Sequence, residues 1–283
     1  MPHRTPTPLA CALLATLAFA FLPSPSPAAD APSHIGAASA LVIDVNTGRI
    51  LYEKNADQKR PVASTQKLLT ALLVFESGKI NGNITVDRSD TIVAPTRLGL
   101  STGETYTRHQ LVEALLVKSG NDIAHCLARD LAGSEKDFCE LMTHRGKLLG
   151  MRNSVFKTAS GLPASGQYST ARDMAKVARA VYFNPVIRQM IKTRKVTFRF
   201  NDGRVRTIYN TNKLLGTTTH CDGMKTGFTN KAGHCLISCS TRGGQAVISV
   251  VLGCSSRTHL WKDSTALLEY ALSLPPAGNS AGS

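Results

Sequence analysis

Ser64-Thr-Gln-Lys67 sets a hydroxyl and an amine three residues apart, a spacing that puts both on one face of a helix. In the segment KLLTALLVFES, Leu68, Ala71, Leu72 and Phe75 share a face, while Leu69, Leu73 and Val74 make much of the remaining surface apolar. A helix of that composition is buried nearly all round. Desolvation disfavours a charged amine, so Lys67 would be held partly neutral and could accept the Ser64 proton, making Ser64 an activated nucleophile. The competing reading is a serine at a helix start as cap and a lysine snorkelling to water. Ser154-Val-Phe-Lys157 repeats the spacing, but the loop-like TASGLPASGQ follows it, so no buried helix would desolvate that lysine.

Two further motifs accompany the first. Ser119-Gly120-Asn121 is the one Ser-x-Asn and falls where two predicted helices meet; Lys225-Thr226-Gly227 is the one Lys-Thr-Gly and precedes a turn at 228 to 232. Taken singly, Asn121 could cap the helix after it and Lys225-Thr226-Gly227 could be an ordinary exposed strand end.

The elements that must position these residues change character along the chain. AASALVIDVNTGRILYEKN, with Asn46-Thr47-Gly48 at its centre, predicts a β-hairpin, and the Lys67 helix follows, ended by Gly78. Helical patterns dominate from about 80 to 182. Thr107-x-x-Gln110 predicts a capping box, Gly133 a helix end, Ser134 the next cap, and 169 to 183 an amphipathic helix. The period then becomes alternating. KVTFRF and RVRTIY flank Asn201-Asp202-Gly203, HCLISCS and QAVISVVLG flank Arg242-Gly243-Gly244, and a last helix spans roughly 258 to 273. Strands at both ends with helices between them predict an α/β (α+β) fold, an antiparallel sheet built from both chain ends and flanked by helices, with a helical insertion.

The chain opens with a basic start, an apolar run from Leu9 to Leu22 and small residues suited to cleavage after Ala28, a secretory signal too short to span a bilayer. The expected organisation is a signal at 1–28, one catalytic domain at 29–274 (sheet part about 37–79 and 190–274, helical part about 80–189) and a tail at 275–283. The 33 Lys and Arg exceed the 19 Asp and Glu; removing Arg4 with the signal leaves 32 against 19, or +13. Such a charge favours anionic surfaces. The basic residues are scattered and no nucleic-acid motif accompanies them, so anionic envelope polymers outside the cytoplasm are the expected partner class, and nucleic acid is not.

With these residues in view the sequence resembles the penicillin-recognising serine DD-peptidases, specifically the D-alanyl-D-alanine carboxypeptidase family. The similarity runs from Ala38 to about Leu272 and includes RPVAS before Ser64, GLP and YSTARDMA within 161 to 175, and GFTNKAGHCL at 227 to 236. The resemblance implies a β-lactamase/transpeptidase-like fold. The signal segment implies a periplasmic or secreted enzyme, and since no C-x-x-C or closely spaced Cys/His quartet occurs to suit zinc, no metal or cofactor is expected. The resemblance further implies attack by Ser64 on the bond between the two terminal D-alanines of a peptidoglycan pentapeptide stem, giving an acyl-enzyme that water cleaves. Lys67 would be the base, and Ser119, bonded to Lys67 and Lys225, would pass a proton to the leaving amine. Asn121 would orient the substrate amide. Lys225 and Thr226 would meet the terminal carboxylate, Gly227 would let the strand approach the substrate, and backbone N–H groups of Ser64 and Phe228 would form the oxyanion hole. Arg257 is a further candidate for the carboxylate. β-Lactam antibiotics would be covalent inhibitors.

Endopeptidase and transpeptidase activity remain open alternatives, since acceptor choice depends on the cleft. A class A β-lactamase would need a Glu-x-x-x-Asn segment between Asn121 and Lys225, and none occurs. A silent wall-binding protein would not need Ser64, Lys67 and Ser119 intact. Many relatives continue into a β-rich domain and an amphipathic anchoring helix; the sequence ends at Ser283, and no integral membrane anchor is expected. Six cysteines follow the signal. Two readings stand: small buried hydrophobes, or one bridge between Cys126 and Cys139, with Cys221 to Cys239 as a second pairing.

Overall fold

The Asn46-Thr47-Gly48 turn forms as its composition predicts: Gly48 takes φ +76° and Asp44 accepts the Thr47 N–H at 2.8 Å. It joins β1 (Ser39–Asp44) to β2 (Ile50–Lys54). The computed structural model describes residues 30–93, 95–217 and 220–276, so the expected signal at 1–28 and most of the tail lie outside the described residues. From the other end of the chain come β7 (Cys221–Thr229), β8 (Gly233–Arg242) and β9 (Gln245–Cys254), and all five strands pair antiparallel in the order β2-β1-β9-β8-β7.

This sheet is apolar on both faces because both are covered. Ala40, Val42, Leu236, Val247 and Val251 pack with Leu260, Leu267 and Leu268 of α8 (Arg257–Ser273). The alternate residues Leu41, Ile43, Ile237, Ile248 and Val250 face a larger core shared with α1 (Lys67–Glu76) and α6 (Ala171–Phe183). Helices α3 (Arg108–Lys118), α4 (Asn121–Ala132) and α5 (Glu135–Leu148) complete that layer with α7 (Pro185–Lys192) and the single turn α2 (Arg88–Thr91). The predicted caps are present: Thr107 and Gln110 exchange bonds as a capping box, Gly133 ends α4 at φ +81°, and Ser134 accepts from Asp137 N–H.

Some elements differ from expectation. The stretch expected to be helical contains the short pair β3 (Asn83–Thr85) and β4 (Thr105–Thr107), whose three-residue length gives no readable alternation. Helix α7 starts at Pro185 with Asn184 as cap, an N-terminal proline signal that the strand-rich region around it obscured. Strands β5 (Lys195–Arg199) and β6 (Val205–Tyr209) form the predicted hairpin, but as a separate two-stranded ribbon. Phe198 lies 5.2 Å from the Tyr106 ring and 5.0 Å from that of Phe200, which draws the ribbon toward β4.

Neither expected disulfide forms; all six cysteines between Cys126 and Cys254 are free thiols. Cys126 faces the Asp90 and Arg129 side chains, whereas Cys139 lies among Glu135 and Lys157, so the two point to different surroundings. A bulge between Cys221 and Gly223 places Cys221 opposite Ser240, and Cys239 belongs to the large core while Cys221 packs on the α8 side. Burial pushes the thiols up, Cys139 to about 12 and Cys235 to about 11, which keeps them unreactive. Alkylation mapping of unreduced, denatured protein should therefore find Cys126 and Cys139 fully modified, and a disulfide-linked peptide joining them would contradict this packing.

Candidate active site

Lys67 is fully buried at the first position of α1, and Ser64 lies in the single 3-10 turn Ala63–Gln66 that leads into it. The Lys67 Nζ is 2.7 Å from Ser64 Oγ, 2.8 Å from Asn121 Oδ1 and 2.7 Å from the Ser160 carbonyl oxygen. A carboxamide oxygen and a peptide oxygen can only accept, so two N–H bonds must point at them. A neutral amine then has its lone pair left for the Ser64 O–H, while an ammonium would donate there instead. Burial, and next the charge of Lys225, push the Lys67 amine well below the ordinary lysine range; Asp122 and Glu135 pull the other way.

Each partner of that nitrogen is fixed independently. Asn121 Nδ2 donates to the Pro95 carbonyl at 2.6 Å and its backbone N–H to Thr96 O at 2.8 Å, which settles the carboxamide with Oδ1 toward Lys67. The buried Asp122 carboxylate accepts the N–H groups of Leu98 (2.9 Å) and Gly99 (2.8 Å), fastening the same loop. The Ser160 carbonyl is held by its neighbours: Gln66 Nε2 donates to Thr158 O at 2.5 Å, Thr70 Oγ1 to Ala159 O at 2.7 Å, and Ala159 N–H to Glu135 Oε1 at 2.9 Å. Ser160 escaped the sequence reading because it contributes a backbone oxygen, which leaves no side-chain signature.

Edge strand β7 brings the third motif to Ser64. A Cβ on Gly227 would stand 2.9 Å from the Ser64 nitrogen, 3.0 Å from Ala63 Cβ and 3.1 Å from the Thr65 nitrogen. Gly161, at φ +84°, presses from another direction, since a Cβ there would lie 2.1 Å from the Ala63 oxygen and 2.9 Å from the same Ser64 nitrogen. Two glycines thus leave the Ser64 backbone N–H room that any side chain would fill. Lys225 is fully buried, donates to the Thr226 carbonyl at 3.0 Å and is lowered by burial to about 7. Thr226 is partly exposed, with its hydroxyl donating to Thr211 Oγ1 at 2.6 Å. Phe228 is half-exposed and stacks on His234 at 4.4 Å. Arg257 opens α8 on the surface near His234; burial, and next that charge, lower the His234 imidazole.

Ser119 sits at the end of α3 in a left-handed conformation, φ +68°. Among the described residues its hydroxyl bonds to neither lysine, contrary to the contact the resemblance implies. The reason is geometric: Ser64, Asn121 and Ser160 fill the three hydrogen-bonding positions of Lys67, and Lys225 turns onto Thr226. The second Ser-x-x-Lys is structural, with Ser154 Oγ bound to Ser169 Oγ and Asp173 Oδ2, both at 2.8 Å, and Lys157 exposed. The assembled groups can deprotonate a hydroxyl and stabilise negative charge at the Ser64 N–H.

Residues 26–256 match the D-alanyl-D-alanine carboxypeptidase family model. The chain is 33% identical over 242 residues to D-alanyl-D-alanine carboxypeptidase DacF of Bacillus subtilis, covering 84% of this chain but 62% of that relative. It is 31% identical over 268 residues to a D-alanyl-D-alanine carboxypeptidase of Streptomyces sp. strain K15, covering 89% and 92% of the two chains. The crystal structure of a Streptomyces K15 DD-transpeptidase superposes with a TM-score of 0.82 at 31% identity, covering 87% of this chain and 100% of that one.

Gly227→Ala should keep the fold but slow acylation of Ser64 by about a hundredfold or more, the scale of losing one oxyanion donor. Stopped-flow acylation kinetics measure this, and an unchanged rate would show that the strand does not need its close approach.

Proposed function

The chain belongs to the D-alanyl-D-alanine carboxypeptidase family, and from that premise we propose that it is a serine-type D-Ala-D-Ala carboxypeptidase acting on peptidoglycan pentapeptide stems. The observation that carries the reading is the buried Lys67 nitrogen, 2.7 Å from Ser64 Oγ and bound on its other sides to two acceptor-only groups. Ser64 Oγ attacks the carbonyl between the terminal D-alanines as its proton passes to the Lys67 lone pair. The resulting oxyanion lies at the N–H groups of Ser64 and Phe228. Collapse of the intermediate expels the terminal D-alanine amine, which takes the proton back from Lys67; Ser119, which bonds to neither lysine before substrate enters, would relay it only after its hydroxyl turns toward Lys67, and water then hydrolyses the ester.

Asn121 orients the substrate amide while its Oδ1 stays on Lys67. Thr226 meets the terminal carboxylate, with Lys225 acting through its field from beneath the strand, because its nitrogen is fully buried. Arg257 adds positive charge from the start of α8. The similar Streptomyces K15 enzyme is a DD-transpeptidase, which supports a second reading in which an amine replaces water as acceptor at the same acyl-enzyme.

Export to the periplasm or beyond follows from the proposed signal at 1–28 and suits a wall substrate. Among the described residues no helix is long and apolar enough to cross a membrane. A β-lactam presents a strained amide and a carboxylate in the arrangement of D-Ala-D-Ala and would acylate the same hydroxyl.

Labelled penicillin should attach to Ser64, and Ser64→Ala should abolish the label; retention of label, or label at Ser154, would refute the site. Release of D-alanine from a soluble pentapeptide, set against products from cross-linked muropeptides, separates carboxypeptidase from endopeptidase and transpeptidase. Because the base works as the neutral amine, the acylation rate should rise with pH through the lowered Lys67 pKa and level off above it. Lys67→Arg, whose guanidinium stays charged, should lose about a thousandfold or more.

A further inference from the structure

We propose that the outward face of the β5–β6 ribbon is a second binding surface for the substrate polymer, holding carboxylate-bearing stem peptides beside the one in the cleft. The proposal rests on the peptidoglycan reading above. Register in the ribbon pairs Lys195 with Tyr209, Thr197 with Thr207, and Arg199 with Val205, and all six are exposed. The alternate pairs contain Phe198 and Ile208, which are buried. One face is therefore spent on the core and the other carries a cation at each end, two hydroxyls between them, and a tyrosine 66% exposed.

The charge on that face is uncompensated. From Arg188 to Lys213 the chain holds eight lysines and arginines against Asp202 alone. Two of the eight find acids, Lys192 with Asp222 at 2.9 Å and Arg204 with Asp202 at 2.5 Å. Among the described residues Lys195 and Arg199 make no ion pair. An exposed edge strand is commonly protected by such charges, which accounts for their presence but not for the exposed Tyr209 and Val205 beside them.

The ribbon is hydrogen-bonded to the loop beside the site. Arg206 Nη1 donates to the Leu98 carbonyl at 2.7 Å, and Thr105 N–H to Asn201 Oδ1 at 2.5 Å, so the same loop that Asn121 and Asp122 hold is gripped from the ribbon. Tyr209 precedes by two residues Thr211, whose hydroxyl accepts from Thr226. At about 3.3 Å per extended residue, the Lys195 end lies within about 7 Å of chain from Thr211 and the Arg199 end about 13 Å farther along. A polymer with its reacting peptide under Thr226 would thus lay neighbouring anionic peptides along these two cations. Two apolar side chains separated by threonines offer too little surface to enter a bilayer.

The test compares wild type with Lys195→Glu/Arg199→Glu and with Tyr209→Ala, using Lys195→Gln/Arg199→Gln where charge reversal impairs folding. Co-sedimentation uses purified peptidoglycan stripped of phosphate polymers, the unstripped wall, and anionic phospholipid vesicles. The double variant should lose affinity for stripped peptidoglycan by about tenfold at low salt, the scale of two exposed charge contacts, and the difference should shrink at high salt. D-Alanine release from the polymer should fall in parallel, while penicillin acylation and hydrolysis of a soluble pentapeptide stay within about twofold. Unchanged binding to stripped peptidoglycan, binding confined to vesicles or to phosphate-bearing wall, or an equal loss on soluble and polymeric substrates would each overturn the proposal. Failure of penicillin to label wild type would refute the enzymatic reading instead, and the sedimentation result would still stand alone.

Discussion

A lysine amine with no access to water is the constraint on which the rest of the molecule depends. Burying it is unfavourable for the charged form, and the fold meets that cost by surrounding the nitrogen with Ser64 Oγ, Asn121 Oδ1 and the Ser160 carbonyl. Those three groups come from the turn before α1, the start of α4 and the loop before α6. Each must be placed to within a few tenths of an ångström for all three contacts to form. The helical layer is therefore not a lid added to a sheet but the scaffold of the base. Asp122, Glu135, Thr70 and Gln66 spend their own hydrogen-bonding capacity on backbone groups of the loops that carry it.

The sheet supplies the complementary requirement, a backbone edge against the hydroxyl. Because β1 and β2 from one end of the chain and β9, β8 and β7 from the other close one sheet, β7 is left as its edge on the side of the Ser64 turn. Gly227 and Gly161 then allow approach distances that a methyl group would forbid. Conformational freedom and the absence of a side chain act together at Gly161, which needs both a positive φ and empty space.

The electrostatics have the same logic on two scales. Within the core, desolvation lowers both Lys225 and Lys67, and the charge of Lys225 lowers Lys67 further. A structure serving stability alone would replace two such buried amines with apolar residues at little loss. On the surface, the excess of lysine and arginine is uneven, and the β5–β6 ribbon concentrates it just before Thr211, which accepts the Thr226 hydroxyl.

The sequence by itself determined the three motifs, their order, the apolar helix that desolvates Lys67, the hairpins at Asn46-Thr47-Gly48 and Asn201-Asp202-Gly203, and the caps at Thr107, Gly133 and Ser134. These are local properties: spacing, turn chemistry and periodicity act over a few residues and leave their mark in the residue types. Only the tertiary structure decided that Ser160 supplies a carbonyl, that Gly161 and Gly227 converge on one nitrogen, and that, among the described residues, the Ser119 hydroxyl bonds to neither lysine. It also decided that Cys126 and Cys139 face different surroundings, and that a bulge turns Cys221 and Cys239 to opposite faces of the sheet. Backbone acceptors carry no side-chain signal, and a one-residue bulge shifts every pairing beyond it, so contacts between segments about 90 residues apart cannot be read from either segment alone.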